Sequence, residues 1–375
     1  MTVVERIRVL RVPSPLARPF VTAVRRTAHL DVVLVEVTDA DGRRGYGEAA
    51  TSWRVTGESP ESVAAVVAGP LADAALRRSV DDPGLPDALA AAAWGNAAAR
   101  SAVACALADL TAQHRDEPLA QTLATDGDAP ARIRTDMTLS VAEPAALAAT
   151  AVEHAAAGFR CLKIKASQDH DTVAGLQAVR AAVGPDIALR VDANQAWDAG
   201  TAIRVIRAAE DAGVGLELVE QPVAARDLDA LAVVTAAVDT PIMADESVRT
   251  AQDVRDIAAR GAAELVNVKL AKTGGLSEAL ACVQAARSAG LGVVVGCMME
   301  SHVGVAAAAH LAAAVAPDVV HDLDAASWLR RSPVTGGLTA DAEWLTLAPA
   351  AGLGITGIAP DAEVLLDRSR TGVLV

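Results

Sequence analysis

Two lysines lie two residues apart in the apolar stretch RCLKIKAS, residues 160–167. Side chains alternate along a β-strand, so Lys163 and Lys165 are expected to point to the same side of it. Two neighbouring ammonium groups repel each other and resist burial unless negative charge faces them. The pair therefore predicts either a solvated strand face or an acidic group opposite it.

Three carboxylates, Asp192, Glu220 and Asp245, end three consecutive β-rich stretches further along the chain. Neighbouring strands lie about 5 Å apart, so these side chains can converge on one point. They would repel each other without a cation, and an all-oxygen ligand set favours Mg2+, or Mn2+, over zinc. The sequence therefore predicts one hard divalent ion per subunit, with the lysine pair facing it.

A third lysine, Lys269, ends a later β-rich stretch and is expected on the wall opposite Lys163 and Lys165. A metal-bound carboxylate substrate between these walls would present its α-carbon to a lysine on each face. A nearby cation would lower a lysine pKa from about 10.4 toward the range of about 7–8 that suits a base. The pattern predicts removal of an α-proton on one face and its return on the other, which is racemisation or epimerisation.

The elements that must position these residues repeat regularly. From about residue 130, eight β-rich stretches alternate with alanine-rich helical stretches, and their centres are spaced 24–28 residues apart. This period is typical of a parallel α/β fold of the (β/α)8 TIM-barrel type, whose chemistry lies at the C-terminal ends of the strands. We therefore predict an N-terminal α+β capping domain (1–125), a catalytic barrel (126–334), and a C-terminal segment (335–375) that packs back on the capping domain.

Composition and charge limit the possible partners. The chain has 375 residues and a formal net charge of −14, which argues against nucleic acid and anionic membranes as partners. The start of the chain has no long apolar signal region, and the alanine-rich stretch 303–317 is too short to span a bilayer. Four cysteines without zinc-type spacing predict reduced thiols. We expect a cytoplasmic homo-oligomer that acts on a small molecule.

Five motifs resemble the enolase superfamily in its muconate lactonizing enzyme subgroup: KIK (163–165), DANQAW (192–197), VEQP (219–222), ADES (244–247) and NVKLAKTGG (267–275). The resemblance implies an enolase-type barrel with a capping domain. It implies that Asp192, Glu220 and Asp245 hold Mg2+. Lys165 and Lys269 would be the acid and base, and Lys163 would polarise the substrate carboxylate. The mandelate racemase branch uses a His-Asp pair on the wall where Lys269 lies, and is disfavoured.

Two further stretches, 296–314 (GCMMESHVGVAAAAHLAAA) and 322–325 (DLDA), resemble the dipeptide epimerases, including the L-Ala-D/L-Glu epimerases. In that group an acidic pair on the eighth strand binds the α-ammonium of the substrate, which here implies Asp322 and Asp324. Both are expected to face the barrel mouth because they are two residues apart.

The same resemblance implies further contacts to the substrate. These involve Thr138, Met298 and Glu300, and Arg25 opposite a glutamate side chain, with the adjacent Arg26 as the alternative. The preferred dipeptide side chains stay open.

The predicted function is that of an isomerase, a Mg2+-dependent dipeptide epimerase that uses two lysines and a metal-stabilised enediolate. The alternatives on the same scaffold are o-succinylbenzoate synthase, N-acylamino acid racemase and muconate cycloisomerase. Those enzymes need no ammonium clamp, so Asp322 and Asp324 favour dipeptides. The carboxylates disfavour a metal-free barrel in which Lys165 forms a Schiff base, and a non-catalytic metal-binding barrel leaves the lysines without a role.

Overall fold

A computed structural model of the chain describes residues 2–21, 26–125, 127–369 and 372–374. Its N-terminal part is an antiparallel sheet covered by helices. The strands of this sheet are β1 (Val4–Val21), β2 (Arg26–Asp39), β3 (Arg44–Ala49), β17 (Glu363–Ser369) and β18 (Gly372–Leu374). Their order is β18-β17-β1-β2-β3, so the C-terminal strands extend the N-terminal sheet.

Helices pack on one face of this sheet. They are α1 (Pro60–Val66), which continues into a π-helical turn (Val67–Leu71), then α2 (Ala72–Ala75), α3 (Leu85–Ala92) and α4 (Ala97–Arg115). The next helix, α5 (Leu119–Leu123), instead buries Leu119 and Ala120 in the core of the barrel. Strand β3 lies directly against α4, since a Cβ atom at Gly45 or Gly47 would fall 2.0 Å from a backbone oxygen of that helix. Glycine at both positions therefore permits the close approach.

Eight β-rich stretches form the barrel, as the sequence predicts. Its strands are β4 (Arg132–Thr135), β5 (Met137–Leu139), β6 (Cys161–Lys165), β7 (Ala188–Asp192), β8 (Leu216–Glu220), β9 (Ile242–Ala244), β10 (Leu265–Lys269), β11 (Gly292–Gly296) and β12 (Val320–His321). Strands β5 to β11 pair in chain order as one parallel sheet.

The sheet closes through its last strand. Strand β12 pairs in parallel with β4, and a bridge joins Gly296 of β11 to Asp322. The first predicted stretch forms two short strands, β4 and β5, on either side of Asp136. The enolase-type barrel with a capping domain is confirmed.

Helices follow the barrel strands. They are α6 (Pro144–Ala156), α7 (Thr172–Val183), α8 (Ala199–Asp211), α9 (Leu228–Thr235), α10 (Ala251–Arg260), the short α11 (Leu270–Thr273), α12 (Leu276–Ser288), α13 (His302–Val315) and a 3₁₀ turn (Ala325–Trp328). Short polar side chains cap several N-termini: Asp171, Asp198, Asp227, Thr250 and Ser301 each accept a hydrogen bond from the first turn. Each cap fixes where a loop ends and a helix begins.

The C-terminal segment contacts both parts of the molecule. Its other strands are β13 (Val334–Gly336), β14 (Leu338–Asp341), β15 (Trp344–Leu347) and β16 (Ile355–Ile358). Strand β15 pairs with β4 beside the barrel, whereas β17 pairs with β1 of the N-terminal sheet. Within the described ranges, no helix has the length and apolar character needed to cross a membrane.

Candidate active site

A cavity of about 500 Å³ lies where the C-terminal ends of the barrel strands meet the N-terminal part. The barrel contributes charged side chains to it, and the N-terminal part contributes Phe20 and residues 52–55. The charged lining residues are Lys163, Lys165, Asp245, Glu246, Lys269, Asp322 and Asp324, together with Arg54 from the N-terminal part. The topology of the barrel thus brings the three predicted lysines, Asp245 and the predicted acidic pair to one cavity.

Lys165 and Lys269 contact the carboxylate cluster from two sides. The Nζ atom of Lys165 donates to Asp192 Oδ2 at 2.5 Å, and that of Lys269 donates to Asp245 Oδ2 at 3.0 Å. Strands β7, β8 and β9 lie between the two strands that carry these lysines. The carboxylates of those three strands therefore lie between the two ammonium groups.

Lys163 is buried deeper than Lys165. Its Nζ atom lies 2.5 Å from Asp322 Oδ1 and 3.4 Å from Glu220 Oε2. Burial lowers the pKa of Lys163, but the negative charges around it, those of Asp322 and Glu220 foremost, together have the larger effect. The pKa therefore lies well above its usual value. The acidic group that the lysine pair predicts is therefore present.

Lys269 shows the same balance, because burial lowers its pKa and Asp245 and Asp322 raise it well above the usual value. The sequence predicted a lowered lysine pKa because it placed a cation nearby. The protein's own carboxylates act in the opposite direction, and the effect of a bound cation stays a prediction.

The predicted metal ligands are buried carboxylates. Asp192 and Glu220 are fully buried at the ends of their strands, and Asp245 is nearly so. Burial and then Asp192 raise the pKa of Glu220 to about 8. Burial, followed by Asp245 and Asp192, raises the pKa of the adjacent Glu246 to about 7. Its Oε2 atom is buried and has no hydrogen-bond partner among the described residues. An all-oxygen set of ligands, with a buried unpartnered carboxylate oxygen beside it, fits a hard divalent cation.

A second carboxylate group lies beside the first. Asp136, Asp322 and Asp324 are all buried, and they offer oxygen atoms within 4.8 Å of one another. Among the described residues, Asp192, Glu220 and Asp245 do not form a group whose oxygen atoms all lie within 4.8 Å of one another. Lysine ammonium groups contact each of its three carboxylates instead.

Asp322 still pairs with β11 through the bridge to Gly296, whereas Asp324 lies in the loop that follows. Strand β12 ends at His321, and both aspartates follow it. Asp324 Oδ2 accepts hydrogen bonds from Thr138 N at 2.8 Å and from Trp328 Nε1 at 3.1 Å. These bonds fix one aspartate, while Asp322 is held by the lysines.

Only some of the other residues predicted to contact the substrate line the cavity. Thr138 and Met298 line the cavity. Within the described part of the chain, Glu300 does not line the cavity. Its Oε1 atom instead accepts a hydrogen bond from Met298 N at 2.9 Å. Arg25 lies outside the described residues, as does the side chain of Arg26. Among the described residues, Arg54 is the arginine that lines the cavity.

Sequence reasoning missed three buried polar residues at the site. Asn267 donates to Glu220 Oε1 at 2.8 Å and to Asp322 Oδ2 at 3.2 Å. Arg190 donates to Asp136 Oδ2 at 3.2 Å. Each lies two residues before a predicted site residue on the same strand, so the alternation rule applied to the lysine pair would have found both.

Lys272 is the third missed residue. Its ammonium group lies 2.5 Å from Asp245 Oδ1 and 3.1 Å from the backbone oxygen of Asn267. A signal for it was present in the composition. The chain has four lysines among its 33 lysines and arginines, and all four lie at this site. Lysine, unlike arginine, can lose its proton near neutral pH when its surroundings shift the pKa.

Two family models match the chain. "Enolase C-terminal domain-like" matches residues 146–361, and "Mandelate racemase / muconate lactonizing enzyme, N-terminal domain" matches residues 5–124. The L-Ala-D/L-Glu epimerase of Bacillus subtilis is 38% identical over 357 residues, which cover 94% of this chain and 97% of that enzyme.

Solved structures agree. The substrate-liganded complex of the Bacillus subtilis enzyme superimposes with a TM-score of 0.92 at 38% identity, covering 95% of this chain and 99% of that one. The dipeptide epimerase of Enterococcus faecalis V583, complexed with Mg and the dipeptide L-Leu-L-Tyr, superimposes with a TM-score of 0.89 at 37% identity. That match covers 94% of this chain and 99% of the other.

The chain therefore belongs to the enolase superfamily, in its mandelate racemase/muconate lactonizing enzyme branch. Within that branch it is a member of the dipeptide epimerase family, a group of isomerases. The resemblance indicated by the motifs is confirmed.

Proposed function

We propose that the protein epimerises dipeptides at the α-carbon of the C-terminal residue, with Lys165 and Lys269 as the acid and base. The observation that carries this proposal is the placement of two lysines on either side of one buried carboxylate cluster. A carboxylate substrate held at that cluster would have one ammonium or amine group near each face of its α-carbon. Membership of the dipeptide epimerase family supports the same reaction.

The two lysines would exchange roles between the two directions of the reaction. In one direction neutral Lys165 takes the α-proton, and protonated Lys269 gives a proton to the opposite face. In the other direction Lys269 is the base and Lys165 the acid, so no net proton is consumed. Lys163, held between Asp322 and Glu220, would donate a hydrogen bond to the substrate carboxylate as negative charge develops there.

We propose that Asp192, Glu220 and Asp245 would hold one Mg2+ ion per subunit, with Mn2+ as a substitute. When bound, the ion supplies positive charge beside the substrate carboxylate, which makes the α-proton more acidic. The buried Oε2 atom of the adjacent Glu246, which has no hydrogen-bond partner among the described residues, supports a cation at this set. The tight group of Asp136, Asp322 and Asp324 is the competing position.

Calorimetric titration with Mg2+ distinguishes the two positions. Glu220→Gln should weaken Mg2+ binding by at least about a hundredfold, because it removes a charged ligand, whereas Asp136→Asn should leave it within a few fold. The opposite result would move the metal to the second carboxylate group. Circular dichroism of both variants shows whether each one folds.

The reaction itself is tested with a library of dipeptides in D2O. Each turnover replaces the α-hydrogen with deuterium, so mass spectrometry detects substrates by a gain of one mass unit. We expect incorporation into dipeptides with a free N-terminus, only in the presence of Mg2+ or Mn2+. Failure of every dipeptide to exchange would contradict the proposal.

Cellular location and assembly complete the proposal. All four cysteines are buried and free, which supports a reducing compartment such as the cytoplasm. A homo-oligomer stays a prediction that light scattering after size-exclusion chromatography would test.

A further inference from the structure

A single buried glutamate joins the N-terminal sheet to a barrel helix. Glu48 lies on β3, and its Oε1 atom accepts a hydrogen bond from Ser301 N at 2.8 Å. Its Oε2 atom accepts from Ser301 Oγ at 2.6 Å and from Gly304 N at 2.9 Å. Ser301 and Gly304 belong to the start of α13, whose first N–H groups have no partner within the helix. A carboxylate in this position is favoured by the helix dipole.

Both sides of this contact continue directly into walls of the cavity. Residues 52–55, which follow Glu48 closely along the chain, form the wall contributed by the N-terminal part. Residues 297–299, which precede Ser301, form a wall contributed by the barrel. The side chain of Glu48 therefore connects two walls that are about 250 residues apart in the sequence.

Glu300 fills the space behind the barrel wall. Its Oε1 atom accepts a hydrogen bond from Met298 N, and its Oε2 atom would lie 2.2 Å from a Cβ atom placed on Gly304. A side chain at residue 304 would thus displace Glu300. Burial and the neighbouring Glu48 raise the pKa of Glu300 to about 8, and burial raises the pKa of Glu48 as well, so the pair holds a proton more readily than two isolated carboxyl groups.

We propose that Glu48 is a positioning residue that sets the spacing between the 52–55 wall and the 297–299 wall, and so selects which substrate side chains fit. Glu48 is not part of the cavity lining formed by the described residues, so it acts through Ser301 and through its own strand. The selection of side chains rests on the proposed dipeptide epimerase function, whereas the positioning of the walls does not.

The test compares Glu48→Ala and Glu48→Gln with the wild-type protein. For the best dipeptide substrate, Glu48→Ala should raise KM about tenfold with kcat changed by less than about threefold, since the walls move but the lysines do not. Glu48→Gln keeps one accepting oxygen and should give an intermediate KM. Hydrogen exchange of the backbone amides of residues 297–304 should be faster in Glu48→Ala, because the first turn of α13 loses its acceptor.

Asp109→Asn is the matched control. Asp109 is a buried carboxylate that accepts hydrogen bonds from Tyr46 N at 2.9 Å and Leu353 N at 2.8 Å, so it also holds β3 in place. It is not among the cavity residues in the described ranges. This variant should lower the melting temperature without changing KM or the exchange of residues 297–304.

The proposal is overturned if Glu48→Ala keeps the wild-type KM and exchange rates, or if Asp109→Asn reproduces the effects of Glu48→Ala. If Glu48→Ala does not fold, Glu48→Gln carries the test, because it removes one of the two accepting oxygens and should shift KM and exchange in the same direction. If the wild-type protein turns over no dipeptide, the proposed function fails. The exchange of residues 297–304 then still decides the role of Glu48.

Discussion

The ammonium group of Lys163 lies 2.5 Å from Asp322 Oδ1, and this contact joins the second strand of the barrel to the segment after the last one. Lys163 also lies 3.4 Å from Glu220, which belongs to the proposed metal ligands. One buried lysine thus contacts both the proposed metal site and the proposed ammonium clamp. A substrate ammonium that binds Asp322 would compete with Lys163 and leave it free to meet the substrate carboxylate.

The first prediction concerns this clamp. N-acetylation of a dipeptide removes its ammonium charge and should lower kcat/KM by one to two orders of magnitude, because a charge-assisted hydrogen bond contributes about 1.5–3 kcal/mol. Asp322→Asn and Asp324→Asn should weaken turnover of free dipeptides but affect acetylated ones much less. Steady-state kinetics with both substrate forms measure this. Equal turnover of the two forms by the wild-type enzyme would favour N-acylamino acid racemisation instead.

The second prediction concerns the two lysines on either side of the cluster. Lys165→Ala and Lys269→Ala should each abolish epimerisation, because one face of the α-carbon loses its acid or base. Each variant should still exchange the α-proton of one epimer with D2O, and the two variants should act on opposite epimers. Deuterium incorporation followed by chiral chromatography measures both properties. Interconversion of epimers near the wild-type rate in either variant would exclude the two-base mechanism.

The third prediction concerns the substrate side chain. The sequence predicts that Arg25 favours a C-terminal Glu or Asp, and Arg54 of the cavity wall is a second guanidinium that can meet such a side chain. If an arginine binds the acidic group, its replacement by Ala should lower kcat/KM for Ala-Glu about tenfold or more, with a smaller effect on Ala-Leu. Comparing Arg25→Ala with Arg54→Ala identifies the residue. Unchanged discrimination in both variants would exclude the acidic preference.

The fourth prediction concerns stability in acid. His310 and His321 are fully buried, and their Nδ1 atoms accept hydrogen bonds from Ala120 N at 3.0 Å and Val295 N at 3.1 Å. Burial lowers the pKa of each histidine from 6.5 to about 4. The unfolded chain therefore binds protons at a pH where the folded protein does not. The buried histidines therefore do not lower the free energy of unfolding above about pH 6.5. As the pH falls from there toward 4, the free energy of unfolding decreases by up to about 3 kcal/mol per histidine.

Urea unfolding between pH 4.5 and 7.5 measures this effect. His310→Gln keeps an accepting oxygen but cannot be protonated, so its free energy of unfolding should fall less steeply with acid than that of the wild type. His29→Gln, at an exposed histidine, is the control and should follow the wild-type curve. An identical pH dependence in His310→Gln and the wild type would contradict the assignment.

The sequence determined the chemistry of the site because that information is local. Alternation along a strand placed Lys163 and Lys165 on one side, and the regular period placed Asp192, Glu220 and Asp245 at strand ends that a parallel barrel must bring together. The same reasoning reaches Asn267 and Arg190, which lie two residues before Lys269 and Asp192. The restriction of lysine to four positions points to Lys272 without any structure.

Only the tertiary structure decided the contacts that depend on loops and on docking between the two parts of the chain. Asp324 lies in the loop after the last strand, so its bonds to Thr138 and Trp328 rather than strand periodicity set where it points. Glu300 was predicted to contact the substrate but lies outside the cavity lining formed by the described residues, where Gly304 leaves space for its side chain. The bond from Ser301 to Glu48 crosses between the barrel and the N-terminal sheet. No periodicity encodes such a contact, because it depends on how two packed surfaces meet.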